Sequence, residues 1–248
     1  MNRLGIEERI AIVRALAEGN SVTATARLTG AAKATVLKLM VEIGEFCSIY
    51  QHRAHRSLAV KRIEADEIWT FVGARGGNAK SSSPFGIWTY TAVDADSKLL
   101  ISWLVGERNN ANAFAFMRDV ALRLAIRRQI TTQGLPWYAG AAVGALSWNG
   151  VDFAQLVRKY AEGGNPSAGS VGHYSRLANA FSKKAENHVR AVSLYFMIYN
   201  YCRQHQALTK AANGIKTTPA MAAHLTDHVW PIEEVLEKMN PIYLLQST

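Results

Sequence analysis

KRIEADEIWTFVG (61–73) and GIWTYTAVDADSKLLISWLVG (86–106) decide how this chain is read. They hold three segments rich in β-branched and aromatic residues, Ile63 to Val72, Ile87 to Val93 and Leu99 to Val105. Such segments favour strands. Asp-Ala-Asp-Ser at 94–97 lies between two apolar runs and reads as a turn. Gly73 to Pro84 is Gly, Ser, Asn and Lys, and reads as a loop. The result is an antiparallel meander whose first strand carries two adjacent acids, Asp66 and Glu67. Neighbours on a strand point to opposite faces, so only one of the two can serve a given site. A carboxylate inside an apolar strand is costly unless it meets a metal, a cation or hydrogen-bond donors. Two readings are open from this stretch: a metal ligand at the centre of a sheet, or an edge-strand acid paired with an arginine.

Outward from the meander, charge is unevenly spread. The chain has 248 residues and a formal net charge of +9. Residues 121–190 hold nine Lys and Arg against three Asp and Glu, and residues 1–60 hold eight against five. Clustered positive excess suits a polyanionic partner, foremost nucleic acid. No apolar run approaches a membrane span and no signal-peptide layout opens the chain, so no membrane and a cytoplasmic location are expected. Cys47 and Cys202 lack partner spacing and read as reduced core thiols.

Residues 5–46 read as three helices. Ile6, Ile10, Val13, Leu16 and Ala17 recur at helical spacing. Ser21 is a fitting N-cap for a short helix to Leu28, Thr29-Gly30 turns the chain, and Lys33 to Phe46 forms the third helix. This is a helix-turn-helix pattern, with Lys33, Thr35 and Lys38 facing DNA on the third helix. A plain three-helix packing unit is the alternative. Gln51 to Arg62 is basic and reads as a linker, with Arg53 and Arg56 able to lie along phosphates. The domain plan is therefore a helix-turn-helix unit over 1–50, a linker over 51–62, a core over 63–205 and a helical tail over 206–248.

Asn110 to Ile126 reads as an amphipathic helix, and Gln129 to Thr132 as a fourth strand. Three antiparallel strands, a helix and a further strand open a ribonuclease H-like fold, giving an α/β core preceded by an all-α domain. Later, Ala185 to Gln204 reads as a long aromatic-rich helix, and Pro219 and Pro231 open short ones.

A set of motifs then points to one family: Met-Asn-Arg-Leu at 1–4, Gly-Asn-Ser at 19–21, Arg-Leu-Thr-Gly at 27–30, Asp-Glu-Ile-Trp at 66–69 and Ala-Val-Asp-Ala-Asp-Ser-Lys-Leu at 92–99. Ser-Trp-Leu-Val-Gly-Glu-Arg follows at 102–108, Asn-Ala-Phe-Ser-Lys-Lys at 179–184, Glu-Asn-His at 186–188, Tyr-Asn-Tyr-Cys-Arg-Gln-His at 199–205 and Thr-Pro-Ala-Met-Ala-Ala at 218–223. In this order they resemble transposases of the insertion sequence 1 family, over nearly the whole chain. The resemblance implies a Mg²⁺-dependent DDE-type enzyme that cuts and rejoins DNA ends, acting on element ends and target, with a homodimer as the family expectation. It places Asp66 on the first catalytic, metal-binding Asp. Gln133 stands at the second Asp position, and an amide oxygen lacks the charge a Mg²⁺ site relies on. The segment expected to bear the third carboxylate is missing between Gly164-Asn165-Pro166 and Tyr174-Ser175-Arg176-Leu177. Glu186 is the nearest later acid, but it matches another family position and reads with His188 as a packing and capping residue. Asp94 and Asp96 read as turn formers. The expectation is a transposase-derived chain that binds DNA with catalysis impaired; the alternative is a non-enzymatic DNA-binding repressor or regulator.

Overall fold

The computed structural model describes residues 4–70, 87–125, 129–133, 140, 141, 144, 152–156 and 185–246. At the N-terminus, α1 (Ile6–Ala17) and α2 (Val22–Thr29) lead into α3 (Lys33–Ala54). The Ser21 side chain accepts the Ala24 N–H at the start of α2, and Gly30 ends it in the left-handed region at φ 71°. Both are the local chemistry such ends require.

The strands are β1 (Arg62–Thr70), β2 (Ile87–Asp94), β3 (Leu100–Gly106), β4 (Gln129–Gln133) and β5 (Asp152–Leu156), with α4 (Asn110–Arg123) between β3 and β4. They form one mixed sheet in the order β3-β2-β1-β4-β5. The first three strands are an antiparallel meander, while β4 runs parallel to β1 and β5 parallel to β4. After the sheet come α5 (Ala185–Met197), a π-helical turn (Ile198–Cys202), α6 (Gln206–Ala211), α7 (Pro219–Ala222) and α8 (Ile232–Gln246).

Helices cover both faces of the sheet. On one, the Tyr90 ring lies 5.6 Å from Phe116 of α4. On the other, Val192, Tyr195 and Phe196 of α5 gather with Leu100 around Ile68, Val93 and Trp103.

Two sequence expectations are corrected here. The third helix does not stop at Phe46; it continues to Ala54, so residues 51–54 of the expected linker are helical. The basic residues there, His52 and Arg53, are exposed, but Gln51 and His55 on either side of them are fully buried. The Gln51 amide donates to the Cys47 and Ser193 carbonyls, and the two His55 ring nitrogens meet Ile101 O and Tyr201 OH, both at 3.2 Å. Buried polar groups so satisfied can sit in a core. The second correction concerns separateness. A single hydrophobic cluster runs from Ile10 and Val13 through α3 to Tyr90, Phe116, Tyr201 and Met239. The C-terminal helix closes it from outside: Arg14 of α1 pairs with Glu233 of α8 at 2.6 Å, and Trp230 stacks 4.4 Å from Tyr201.

Where α3 crosses α5 the backbones nearly touch. A Cβ on Gly44 would lie 2.4 Å from Arg190 O. Glycine is what allows this approach.

The π-helical turn also has a definite task. It presents Asn200, fully buried, to the edge strand. Its Oδ1 accepts Leu100 N–H, and its Nδ2 donates to Leu100 O and to Gln51 Oε1, all at 3.0–3.1 Å. The side-chain amide thus stands in for a neighbouring strand at the point where the β2–β3 register shifts between Ala92 and Val93.

Candidate functional site

Alternation along β1 sorts its two acids. Ile63 and Ala65 are buried in the main cluster, and Glu67 shares their parity. Asp66 shares the parity of Ile68, on the face covered by α5. The two acids thus serve opposite faces, as the strand period requires.

Glu67 meets an arginine as the second reading expected, but from the central strand of the sheet and not from an edge. Its side chain is 5% exposed and accepts from Arg108 at 3.4 Å. The Arg108 guanidinium in turn lies 4.6 Å over the Trp88 ring. Sequence reading passed over this trio; its signal was the recurrence of Glu, Arg and Trp at the same end of the meander.

Asp66 is half-buried, and its Oδ1 accepts the Glu67 N–H at 2.8 Å. Its backbone carbonyl accepts from Thr91 Oγ1. The parallel β1–β4 register runs Arg62 with Gln129, Ile63 with Ile130, Glu64 with Thr131 and Ala65 with Thr132. The next residues of the two strands, one step on, are Asp66 and Gln133. The same step continues across β5, where Gln133 pairs with Leu156.

Glu186 stands exposed in the first turn of α5. Among the described residues no hydrogen bond or ion pair joins it to the sheet. Two positions further, His188 is 5% exposed, and burial lowers its pKa to about 4, so it is a neutral packing residue at physiological pH. The segment between Gly164 and Leu177, where the third carboxylate is expected, lies outside the described residues. Asp94 and Asp96 are turn formers as expected. Asp94 Oδ2 accepts Ser97 N–H and Oγ–H, and Asp96 pairs with Arg62.

Among the described residues no three His, Cys, Asp or Glu side chains are grouped to hold a metal ion. At the expected centre the described side chain is one carboxylate, Asp66, already accepting a backbone N–H. Two divalent cations need more negative charge than that set supplies, since Mg²⁺ holds its place through carboxylates. The described residues do not fit a two-ion centre.

The DNA-facing candidates fall into two groups. Lys33 and Lys38 are exposed on the first turns of α3 and Thr35 is half-buried beside them. Lys38 has only a loose partner, Glu42 at 3.8 Å. At the far end of α3, Arg53 is exposed, and among the described residues no hydrogen bond or ion pair engages it. Arg56, offered by the sequence for phosphates, is engaged in tying helix ends together. It donates to His52 O at the end of α3 and to Leu122 O at the end of α4.

No protein-family model matches the chain, and no curated protein sequence matches it either. Among solved structures, the chain is similar to the Mos1 strand transfer complex at 14% identity, over 97% of this chain and 78% of that one, with a TM-score of 0.37. A pre-cleavage Mos1 transpososome is similar at 12% identity, over 96% and 79%, with a TM-score of 0.30. Likeness at that level does not assign a fold.

Proposed function

We propose that this chain is a DNA-binding protein of transposase descent, with a ribonuclease H-like core whose catalytic centre has lost its charge. The observation that supports the reading is the parallel β1–β4 register, whose last pair, Ala65 with Thr132, immediately precedes Asp66 on one strand and Gln133 on the other. An enzyme that displaces phosphodiesters with two metal ions needs carboxylates there. Here one of the two is an amide. The ordered motifs of the sequence support the descent, and the strand order 3-2-1-4-5 supports the core.

Duplex DNA is the partner in this reading, met by the N-terminal turns of α3. Lys33 and Lys38 supply charge to phosphates. Ala31, Ala32 and Ala34 offer nothing that could hydrogen-bond a base edge, so contact is dominated by the backbone of the duplex.

The test is a calorimetric titration of Mn²⁺ into the protein and into Asp66→Asn, together with cleavage and joining assays on DNA bearing candidate element ends. Heats indistinguishable between the two proteins and intact DNA are expected. Two-ion binding that depends on Asp66, or any cleaved product, overturns the loss of catalysis. Absence of salt-dependent duplex binding overturns the DNA-binding reading itself.

A further inference from the structure

Burial follows the helical period along the first three turns of α3. Val36, Leu39, Met40 and Ile43 point inward and are buried. Opposite them stand Ala34, Leu37, Lys38 and Val41, spaced i, i+3, i+4 and i+7, so that they share one strip of helix surface. Ala34 and Lys38 are exposed, while Leu37 and Val41 are half-buried at the margin of the main hydrophobic cluster. The outward strip of a surface helix is ordinarily polar. Here three of its four side chains end in methyl groups, and Lys38 is the one that can donate a hydrogen bond.

Positive charge frames the strip. Residues 19–41 contain Arg27, Lys33 and Lys38 and no Asp or Glu. Among the described residues no hydrogen bond or ion pair engages Arg27 or Lys33. The first acid of α3 is Glu42, the loose partner of Lys38 at 3.8 Å. Of the other acids on the three N-terminal helices, Glu45 is taken by Arg190, Glu18 by Arg203, and Glu8 accepts the Gly5 N–H, which leaves Glu7 exposed at the start of α1. An apolar strip framed by cations suits a polyanion that carries apolar groups on its accessible face. Duplex DNA meets both conditions. The C5 methyl of thymine is the apolar group that base pairs present in the major groove, which is wide enough to admit a helix. From Ala34 to Val41 the strip runs about 10 Å, the rise of about three base pairs.

Resting on the reading that duplex DNA is met by the first turns of α3, we propose that this strip selects thymine-bearing sequence through its methyl groups. Ala34, Leu37 and Val41 pack against thymine methyls over about three base pairs, and Arg27, Lys33 and Lys38 hold the phosphates on either side. Such a surface is blind to the hydrogen-bond pattern of the bases. Uracil keeps every hydrogen-bonding group of thymine and lacks only the methyl, so it separates this readout from any other.

The test follows anisotropy of short fluorescein-labelled duplexes on the full chain. One pair shares a mixed A·T sequence, with thymine in one duplex and uracil throughout the other. A second pair is a G·C duplex with and without 5-methylcytosine, whose methyl occupies the same place in the groove. The thymine duplex is expected to bind more tightly than the uracil duplex by about threefold to fourfold for each methyl in contact, and methylation of cytosine to tighten binding in the same sense. Leu37→Gln and the exposed Ala34→Ser are expected to narrow both differences while keeping the salt dependence of binding. Equal affinity within either pair overturns the proposal and leaves the DNA-binding reading standing. Absence of salt-dependent binding to all four duplexes overturns both. Discrimination that survives in both variants with circular dichroism intact places the readout off α3 and overturns the proposal. So does a chain that dimerises without DNA in sedimentation and turns monomeric in Leu37→Gln, which assigns the strip to a second copy.

Discussion

Replacing Gly44 by alanine tests the packing argument most directly. A Cβ at that position would lie 2.4 Å from Arg190 O and 2.8 Å from Arg190 C and Cα. Real Cβ atoms essentially never come closer than 3.0 Å to such neighbours, so α3 and α5 must separate by about 0.6 Å or more. The obstacle is backbone, which cannot swing aside as a side chain would. Overpacking of this kind costs about 1–3 kcal/mol, and a rigid obstacle puts Gly44→Ala near the upper end. Against it stands the helix preference of alanine over glycine, about 1 kcal/mol. The expected net loss is about 2 kcal/mol. For a chain of this length that is about 4–8 °C in Tm, if unfolding is reversible. Thermal and urea denaturation followed by circular dichroism measure it, with Lys38→Ala as the exposed control on the same helix, expected within about 0.5 kcal/mol of wild type. If Gly44→Ala matches or exceeds wild-type stability, the close crossing of α3 on α5 is wrong.

Three further expectations concern the interior and the α3 surface. His55 is buried with its pKa lowered to about 3, chiefly by desolvation, and His188 with its pKa lowered to about 4 by the same cause. Folded pKa values below the unfolded value near 6.5 mean that the unfolded chain takes up more protons. The associated stability is thus complete above pH 6.5 and falls as pH drops toward 4, by up to about 1.4 kcal/mol per pH unit for each histidine. Urea midpoints between pH 7.5 and 5 should show that slope, and a flat profile would contradict the burial of both rings. Asn200→Ala removes three hydrogen bonds and leaves Leu100 N–H and O and Gln51 Oε1 without their partner, a loss of about 3 kcal/mol or more. Hydrogen exchange should accelerate first at the Leu100 amide, and unchanged protection there would speak against the strand-mimicking role. Lys33→Gln with Lys38→Gln should flatten the salt dependence of duplex binding by about 0.9 per lysine in log–log slope, and an unaltered slope would place the duplex elsewhere.

What the sequence disclosed, and what it hid, follows from how each signal averages over neighbours. The meander was legible because β-branched and aromatic residues persist along whole strands; β2, β3 and the start of β1 fall within about one residue of their expected bounds, and the expected end of β1 at Val72 lies outside the described residues. Asp66 and Glu67 could be assigned to opposite faces by parity alone, though not which would meet an arginine. The end of α3 was illegible. His52 and Arg53 dominate the composition there, while Gln51 and His55 count as polar although each is buried with its hydrogen bonds made. Composition averages around a helix, and this helix differs from face to face. The π-helical turn was hidden as well, because nothing in Tyr199, Asn200 and Tyr201 distinguishes a wide turn from an ordinary one. Asn200 gains its meaning from Leu100, a hundred residues away. Gln133 was noticed only because a motif supplied the expectation of an acid; it ends β4, the strand that runs parallel to β1.

The unbroken run of α3 has a consequence for how this molecule can change over time. Two units joined by a slack tether can be lengthened, shortened or exchanged with little effect on either. Here one 22-residue rod carries Lys33 at one end and the buried Gln51 near the other. Adding a single residue midway would turn one end by about 100° against the other and displace it by about 1.5 Å. Every insertion or deletion within the rod therefore re-aims the lysines, so α3 should tolerate substitution far better than any change of length.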